Sequence, residues 1–226
     1  MSAGQLPPVE IEPERSADAA VVLMHGLGAD GHDFETLVYE LRLPADSAIR
    51  WVFPHAPIRP VTLNGGMPMR AWYDIIGLDR RSQEDEAGIR ASAEGIRGLV
   101  RRERERGIPS ERIVLAGFSQ GGAMALFTAL REPERLAGVL ALSTYVPLAA
   151  TLEDEAHPAG AAVPIFMAHG TLDPIVPMTL GEGARDLLRA RGYDVVWHTY
   201  PMPHSVSAEE VADIREWLLR ILPPRG

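Results

Sequence analysis

Apolar residues recur along the chain in two rhythms. Short continuous runs, Ala19–Met24, Ile49–Phe53, Arg112–Gly117, Gly138–Ser143, Pro164–His169 and Val195–Tyr200, read as strands, and a weaker alternation around Val9 and Ile11 reads as an edge strand. Between them, Glu84–Arg106 places Ile89, Ala93, Ile96 and Val100 at steps of four, three and four, on one helix face. Ser82 with Asp85 supplies its start signal and Gly107-Ile108-Pro109 its stop. An apolar helix follows at Gly122–Leu130. A last one opens on Ser207 and Glu210 as a capping box and buries Val211, Ile214, Leu218 and Ile221 before Pro223-Pro224. This alternation predicts an α/β fold: a mostly parallel central sheet with helices on both faces, in one domain spanning residues 1–226. Two connections, Ala56–Asp79 and Thr144–Val163, are longer than such a fold needs, and long loops in a compact domain usually shape a site.

Composition removes several kinds of chemistry. The chain has no cysteine, so disulfide scaffolds, thiolate metal sites, iron–sulfur clusters, S-acylation and cysteine nucleophiles are excluded. All 22 cations are arginine, and they are outnumbered by 31 carboxylates. A net charge of −9 gives no general attraction to phosphate backbones or anionic lipid, so no nucleic-acid partner is expected. No apolar run approaches the ~20 residues of a membrane span, and Met1–Glu14 lacks a basic segment followed by an apolar core. A soluble cytoplasmic protein without integral membrane association is the expectation. The acidic group Glu84, Asp85 and Glu86 resembles a metal site, but carboxylates in a first helical turn complement the helix dipole, and no metal is expected.

Two glycine motifs compete for the functional reading. Gly26, Gly28 and Gly31 spell G-x-G-x-x-G directly after the strand Ala19–Met24, as in a dinucleotide-binding oxidoreductase. Such a site needs an acidic residue at the end of the next strand to hold a ribose hydroxyl. The strand Ile49–Phe53 ends instead in Pro54-His55-Ala56, so the dinucleotide reading is disfavoured. The second motif, Gly117-Phe118-Ser119-Gln120-Gly121, is a G-x-S-x-G between a strand and an apolar helix, where a tight turn exposes a serine nucleophile.

A serine hydroxyl needs a base to take its proton, and the base needs an acid to fix its tautomer. On this kind of turn the partners follow in the order serine, acid, histidine, in loops after later strands. Asp173 follows the strand Pro164–His169, and His204 follows Val195–Tyr200. His25, His32, His55 and His157 precede the acid, while His169 and His198 lie within or at the end of strands, which leaves His204. Acyl transfer also needs N–H donors for the oxyanion; Gln120, next to the nucleophile, supplies one and Leu27, in the first glycine motif, the other. No cofactor is required. A non-catalytic binding module on the same fold is the remaining alternative, weakened because every catalytic part has a candidate.

These residues resemble the acyl-protein thioesterase, lysophospholipase and carboxylesterase family of serine α/β-hydrolases. The similar segments are His25-Gly26-Leu27-Gly28, Pro54-His55-Ala56-Pro57 with Arg59-Pro60-Val61-Thr62, Trp72-Tyr73-Asp74-Ile75, Ser82-Gln83-Glu84-Asp85-Glu86, Gly107-Ile108-Pro109, Gly117–Ala123, Leu136-Ala137-Gly138 with Leu142-Ser143, and the islands around Asp173 and His204-Ser205. Likeness is nearly continuous from residue 21 to 148 and patchy beyond, and Leu152–Val163 departs from it. The resemblance implies the α/β-hydrolase fold without a separate cap domain. It implies a small-molecule ester or thioester substrate whose acyl chain lies in an apolar groove, lined at the positions of Leu27, Leu63, Trp72, Tyr145 and Val176. An apolar rim around that groove would also suit a homodimer.

Overall fold

The computed structural model describes residues 6–77 and 83–225. Its main sheet has seven strands: β1 (Val9–Ile11), β2 (Ala19–Met24), β3 (Ile49–Phe53), β6 (Ile113–Phe118), β7 (Gly138–Leu142), β8 (Ile165–Gly170) and β9 (Val195–Tyr200), while β4 (Ile58–Val61) and β5 (Met67–Arg70) form a separate hairpin. The order is β1-β3-β2-β6-β7-β8-β9, parallel throughout except for β1, which runs antiparallel to β3. Six helices accompany the strands: α1 (Glu35–Glu40), α2 (Glu86–Glu105), α3 (Gln120–Ala129), α4 (Leu152–Glu155), α5 (Met178–Ala190) and α6 (Ala208–Ile221).

Side chains of a strand alternate between faces, and this pleat divides the core in two. Ala20, Val22 and Met24 of β2 point to the face covered by α2, α3 and α5, where Ile89, Ala93, Ile96 and Val100 form the stripe expected of α2. Ala19, Val21 and Leu23 point the other way, against Leu37 of α1 and Val211, Ile214, Trp217 and Leu218 of α6. Helices on both faces leave the central strands buried along all but the last residue of β6, which is why they read as continuous apolar runs.

Several boundaries differ from the sequence expectation. β6 begins one residue late because Arg112 closes a 3-10 turn, Ser110–Arg112. Ser82 lies outside the described residues; the α2 cap is Asp85, whose carboxylate accepts the Gly88 N–H at 2.9 Å. The same carboxylate accepts the Asp74 N–H at 2.9 Å, so this acidic residue is occupied as a cap and loop anchor, and no metal cluster occurs among the described residues. The connection expected as a loop after Ala56 contains the β4–β5 hairpin. That between Thr144 and Val163 contains α4, held where Glu155 pairs with Arg90 at 2.6 Å and Arg131 at 2.7 Å.

Candidate active site

Parallel strands end on a common edge, and β2, β6, β8 and β9 deliver there the loops that carry the expected chemistry. Between β6 and α3 the backbone reverses at Ser119, whose φ of 55° and ψ of −120° are strained for an L-residue. The flanking glycines make this turn feasible: a Cβ on Gly117 would stand 2.2 Å from the Gly121 carbonyl carbon, and one on Gly121 would stand 2.1 Å from the Met24 carbonyl oxygen. Hydrogen bonds clamp the strained residue, with its N–H donating to the Leu142 carbonyl at 2.8 Å and its carbonyl accepting from Thr144 Oγ1 at 2.7 Å.

Asp173 and His204 come from loops 31 residues apart that are laced together. Thr171 N–H donates to the Tyr200 carbonyl at 2.8 Å and Leu172 N–H to the Met202 carbonyl at 3.1 Å. Gly170 must be small, since its Cβ would fall 2.5 Å from the Pro203 carbonyl oxygen. The result is a 2.6 Å hydrogen bond from His204 Nδ1 to Asp173 Oδ2. The other carboxylate oxygen accepts the N–H groups of Ile175 and Val176 at 2.8 and 2.9 Å, and the Asp173 side chain is fully buried. A carboxylate held this way can only present Oδ2 to the imidazole, leaving His204 Nε2 as the lone-pair nitrogen. The His204 ring lies 4.6 Å from that of Phe118, the residue before the serine. Ser119 and His204 share the site without a direct hydrogen bond between their side chains; such contacts often tighten only when substrate is bound.

The oxyanion candidates flank Ser119: Gln120 follows it in the chain, and Gly26, next to Leu27, lies against it. Gln120 is the first residue of α3, so its N–H has no intrahelical partner and sits at the positive end of the helix dipole. Among the described residues, neither it nor the Leu27 N–H has a protein acceptor. The first glycine motif serves this loop. Gly26 packs against Phe118 and Ser119, Gly28 has a φ of +80° and donates its N–H to the Arg70 carbonyl at 2.8 Å, and Gly31 abuts the Phe53 carbonyl. No helix starts on the motif, because α1 begins only at Glu35, so the helix terminus that a dinucleotide pyrophosphate requires is missing.

The other histidines have structural occupations. His25 and His55 are buried within the β2 and β3 loops, and burial pushes both below the ordinary range, His25 to about 4. His169 donates from Nε2 to the Val176 carbonyl at 2.9 Å, His157 accepts the Ala159 N–H, His32 pairs with Glu35, and His198 faces Asp213 at 3.3 Å. Of the expected groove positions, Leu63 is half exposed beside the β4–β5 hairpin, and Leu27 and Tyr145 are partly buried. Trp72 and Val176 are each only 3% exposed, and both are tied by hydrogen bonds into the loops around the site. From sequence, His25 and the Gln120 side chain have no assigned task; the one signal for His25 is that it directly precedes the expected oxyanion loop.

A mostly parallel sheet with its chemistry gathered at the carboxyl edge, around a serine on a strained strand-to-helix turn, defines an α/β-hydrolase. A family model described as Phospholipase/Carboxylesterase matches residues 7–222, and the chain belongs to that family. It is 42% identical over 220 residues to acyl-protein thioesterase 1 of Mycosarcoma maydis, covering 91% of this chain and 92% of that one. Against acyl-protein thioesterase 1 of Neurospora crassa it is 41% identical over 231 residues, covering 98% and 94%. The crystal structure of Zea mays acyl-protein thioesterase 2 superposes with a TM-score of 0.85 at 31% identity, covering 95% of this chain and 98% of that one. The protein is therefore a serine hydrolase of the ester and thioester type, and no helix among its described residues is long and apolar enough to cross a membrane.

Proposed function

We propose that this hydrolase works through an acyl-enzyme on Ser119, with His204 as general base and acid and Asp173 as its orienting carboxylate. The observation that carries this reading is the His204–Asp173 hydrogen bond at the same sheet edge as the strained serine. Ser119 Oγ attacks the ester or thioester carbonyl while His204 Nε2 takes its proton, and the Leu27 and Gln120 N–H groups receive the oxyanion. The tetrahedral intermediate collapses as His204 returns the proton to the leaving alcohol or thiol. Water, deprotonated by the same nitrogen, then releases the acid and restores Ser119.

Exposed apolar side chains support an acyl-chain substrate. Leu63 and Met67 stand on the hairpin side, which the Gly28–Arg70 hydrogen bond ties to the oxyanion loop; Leu172 and Ile175 stand beside Asp173. If the chain lies along this surface, each methylene buried adds about 0.8 kcal/mol, or roughly fourfold in kcat/KM until the groove is filled. A series of acyl esters and matched thioesters from two carbons upward tests this. A rising kcat/KM with a defined plateau supports the groove, and a flat profile refutes it.

A further inference from the structure

The peptide unit that carries the Leu27 N–H is held from behind. Its carbonyl, that of Gly26, accepts a hydrogen bond from His25 Nδ1 at 2.7 Å. In a trans peptide the C=O and N–H point in opposite directions, so a bond that fixes the carbonyl also aims the N–H. It polarises the N–H as well, since bonds in series strengthen one another.

His25 is itself fixed at three points. Its Nε2 accepts the Ala56 N–H at 3.1 Å, which assigns the proton to Nδ1 and makes the ring a neutral donor toward Gly26. Its backbone carbonyl accepts the indole N–H of Trp72 at 2.9 Å, with the two rings 5.3 Å apart. Trp72 in turn is pinned to the nucleophile helix: its N–H donates to Gln120 Oε1 at 2.8 Å, and Gln120 Nε2 donates to the Tyr73 carbonyl at 2.7 Å. One residue thus offers its backbone N–H to the oxyanion and uses its side chain to hold the strut behind the other donor.

We propose that His25 is a positioning residue that orients the Leu27 N–H through the Gly26 carbonyl, and that the Trp72 indole and Gln120 amide lock it in place. This rests on the acyl-enzyme reading above. Burial keeps the imidazole neutral, with its pKa lowered to about 4, so the relay stays intact across the pH range in which a serine–histidine enzyme works.

Three variants test it: His25→Leu removes both ring contacts at similar volume, His25→Asn restores a donor near the Nδ1 position, and Trp72→Phe removes only the indole N–H. Each is assayed for kcat and KM on one ester and for inhibition by an alkylboronic acid, which forms a tetrahedral anion on the serine. Removing one oxyanion donor costs about 10²–10³ in kcat, so misaiming one should cost roughly 10–100-fold. The expected result is that loss in kcat for His25→Leu, KM within about threefold, boronate affinity falling in parallel with kcat, and most of the loss recovered by His25→Asn. Trp72→Phe should show the same pattern at a smaller size, and it carries the test if His25→Leu does not fold. Unchanged kcat in His25→Leu, or an Asn variant as impaired as the Leu variant, would overturn the proposal. Stoichiometric labelling of the parent protein at Ser119 by a fluorophosphonate keeps this outcome separate from failure of the acyl-enzyme reading itself.

Discussion

Replacing Glu210 by glutamine should make the protein more stable in alkali and leave it nearly unchanged in mild acid. The side chain is fully buried on the first turn of α6, and neither carboxylate oxygen has a hydrogen-bond partner. The capping box expected from Ser207 and Glu210 is half made: the Ser207 hydroxyl accepts the Glu210 N–H at 3.2 Å, but the carboxyl turns inward, outside bonding geometry to the Ser207 N–H. Burial pushes its pKa up from 4.5 to about 8, and the Asp213 carboxylate adds to the shift. A carboxyl whose folded pKa lies above its unfolded value is favourable below the unfolded pKa, and that contribution is lost as pH rises through the folded one. Each pKa unit corresponds to about 1.4 kcal/mol, so keeping the carboxyl protonated in the fold costs roughly 3 kcal/mol at pH 7, and the loss levels off at about 5 kcal/mol above pH 9, where it ionises in place, as upper bounds. Urea unfolding of parent and Glu210→Gln between pH 5 and pH 9 should give stabilities that coincide near pH 5 and diverge upward in favour of the variant. Taking the difference removes the contribution of the buried histidines, which both proteins share. A constant offset across that range, or a variant less stable at pH 9, would show instead that the carboxylate is ionised and satisfied.

Other parts of the structure give sharp expectations. Gly121→Ala should abolish soluble folded protein, because the new Cβ would have to occupy space 2.1 Å from the Met24 carbonyl oxygen; a variant with the parent melting temperature would contradict the turn geometry. Glu103→Ala should cost about 2–3 kcal/mol in urea unfolding. It strips a fully buried carboxylate from Arg50, Arg102 and Arg106, two of which reach water and soften the loss. Asp173→Asn should lower kcat by about 10³–10⁴ at nearly unchanged stability. The Ile175 and Val176 N–H groups would keep the amide oxygen, turning the NH₂ toward His204 Nδ1 and forcing the proton onto Nε2. Parent-like turnover in that variant would remove Asp173 from the mechanism.

How much of this was legible in the sequence follows from what each element buries. The central strands read clearly because helices on both faces demand uninterrupted apolar runs. The Ser119 turn read clearly because glycine spacing and a strand-to-helix switch point to one geometry. The β4–β5 hairpin did not, since Pro60 and Pro68, which suppress a strand reading, lie directly opposite one another. Neither proline has an N–H, so their pair can only be one of the non-hydrogen-bonded pairs of the ladder. Helix α5 escapes a sequence reading because two of its three buried residues, Gly181 and Ala184, are small and carry little apolar signal, which leaves Leu188 alone. Gly181 is small for a tertiary reason: a Cβ there would strike His169 at 2.4 Å. Helix α1, with Leu37 alone buried over six residues, is too short to show a period. In the site, chain order separated His204 from its rivals but could not show what His25 does, because its bond to Gly26 and its contact with Ala56 depend on how two loops meet.

The proposed chemistry depends above all on Ser119 being the activated nucleophile. Incubating parent and Ser119→Ala with a fluorophosphonate, and locating any adduct by mass spectrometry after proteolysis, tests it most directly. One adduct is expected, on the peptide bearing Ser119, with hydrolysis lost in step with labelling and kcat of the alanine variant down by about 10⁴–10⁶. An adduct on another residue, or undiminished hydrolysis by the unlabelled alanine variant, would contradict it.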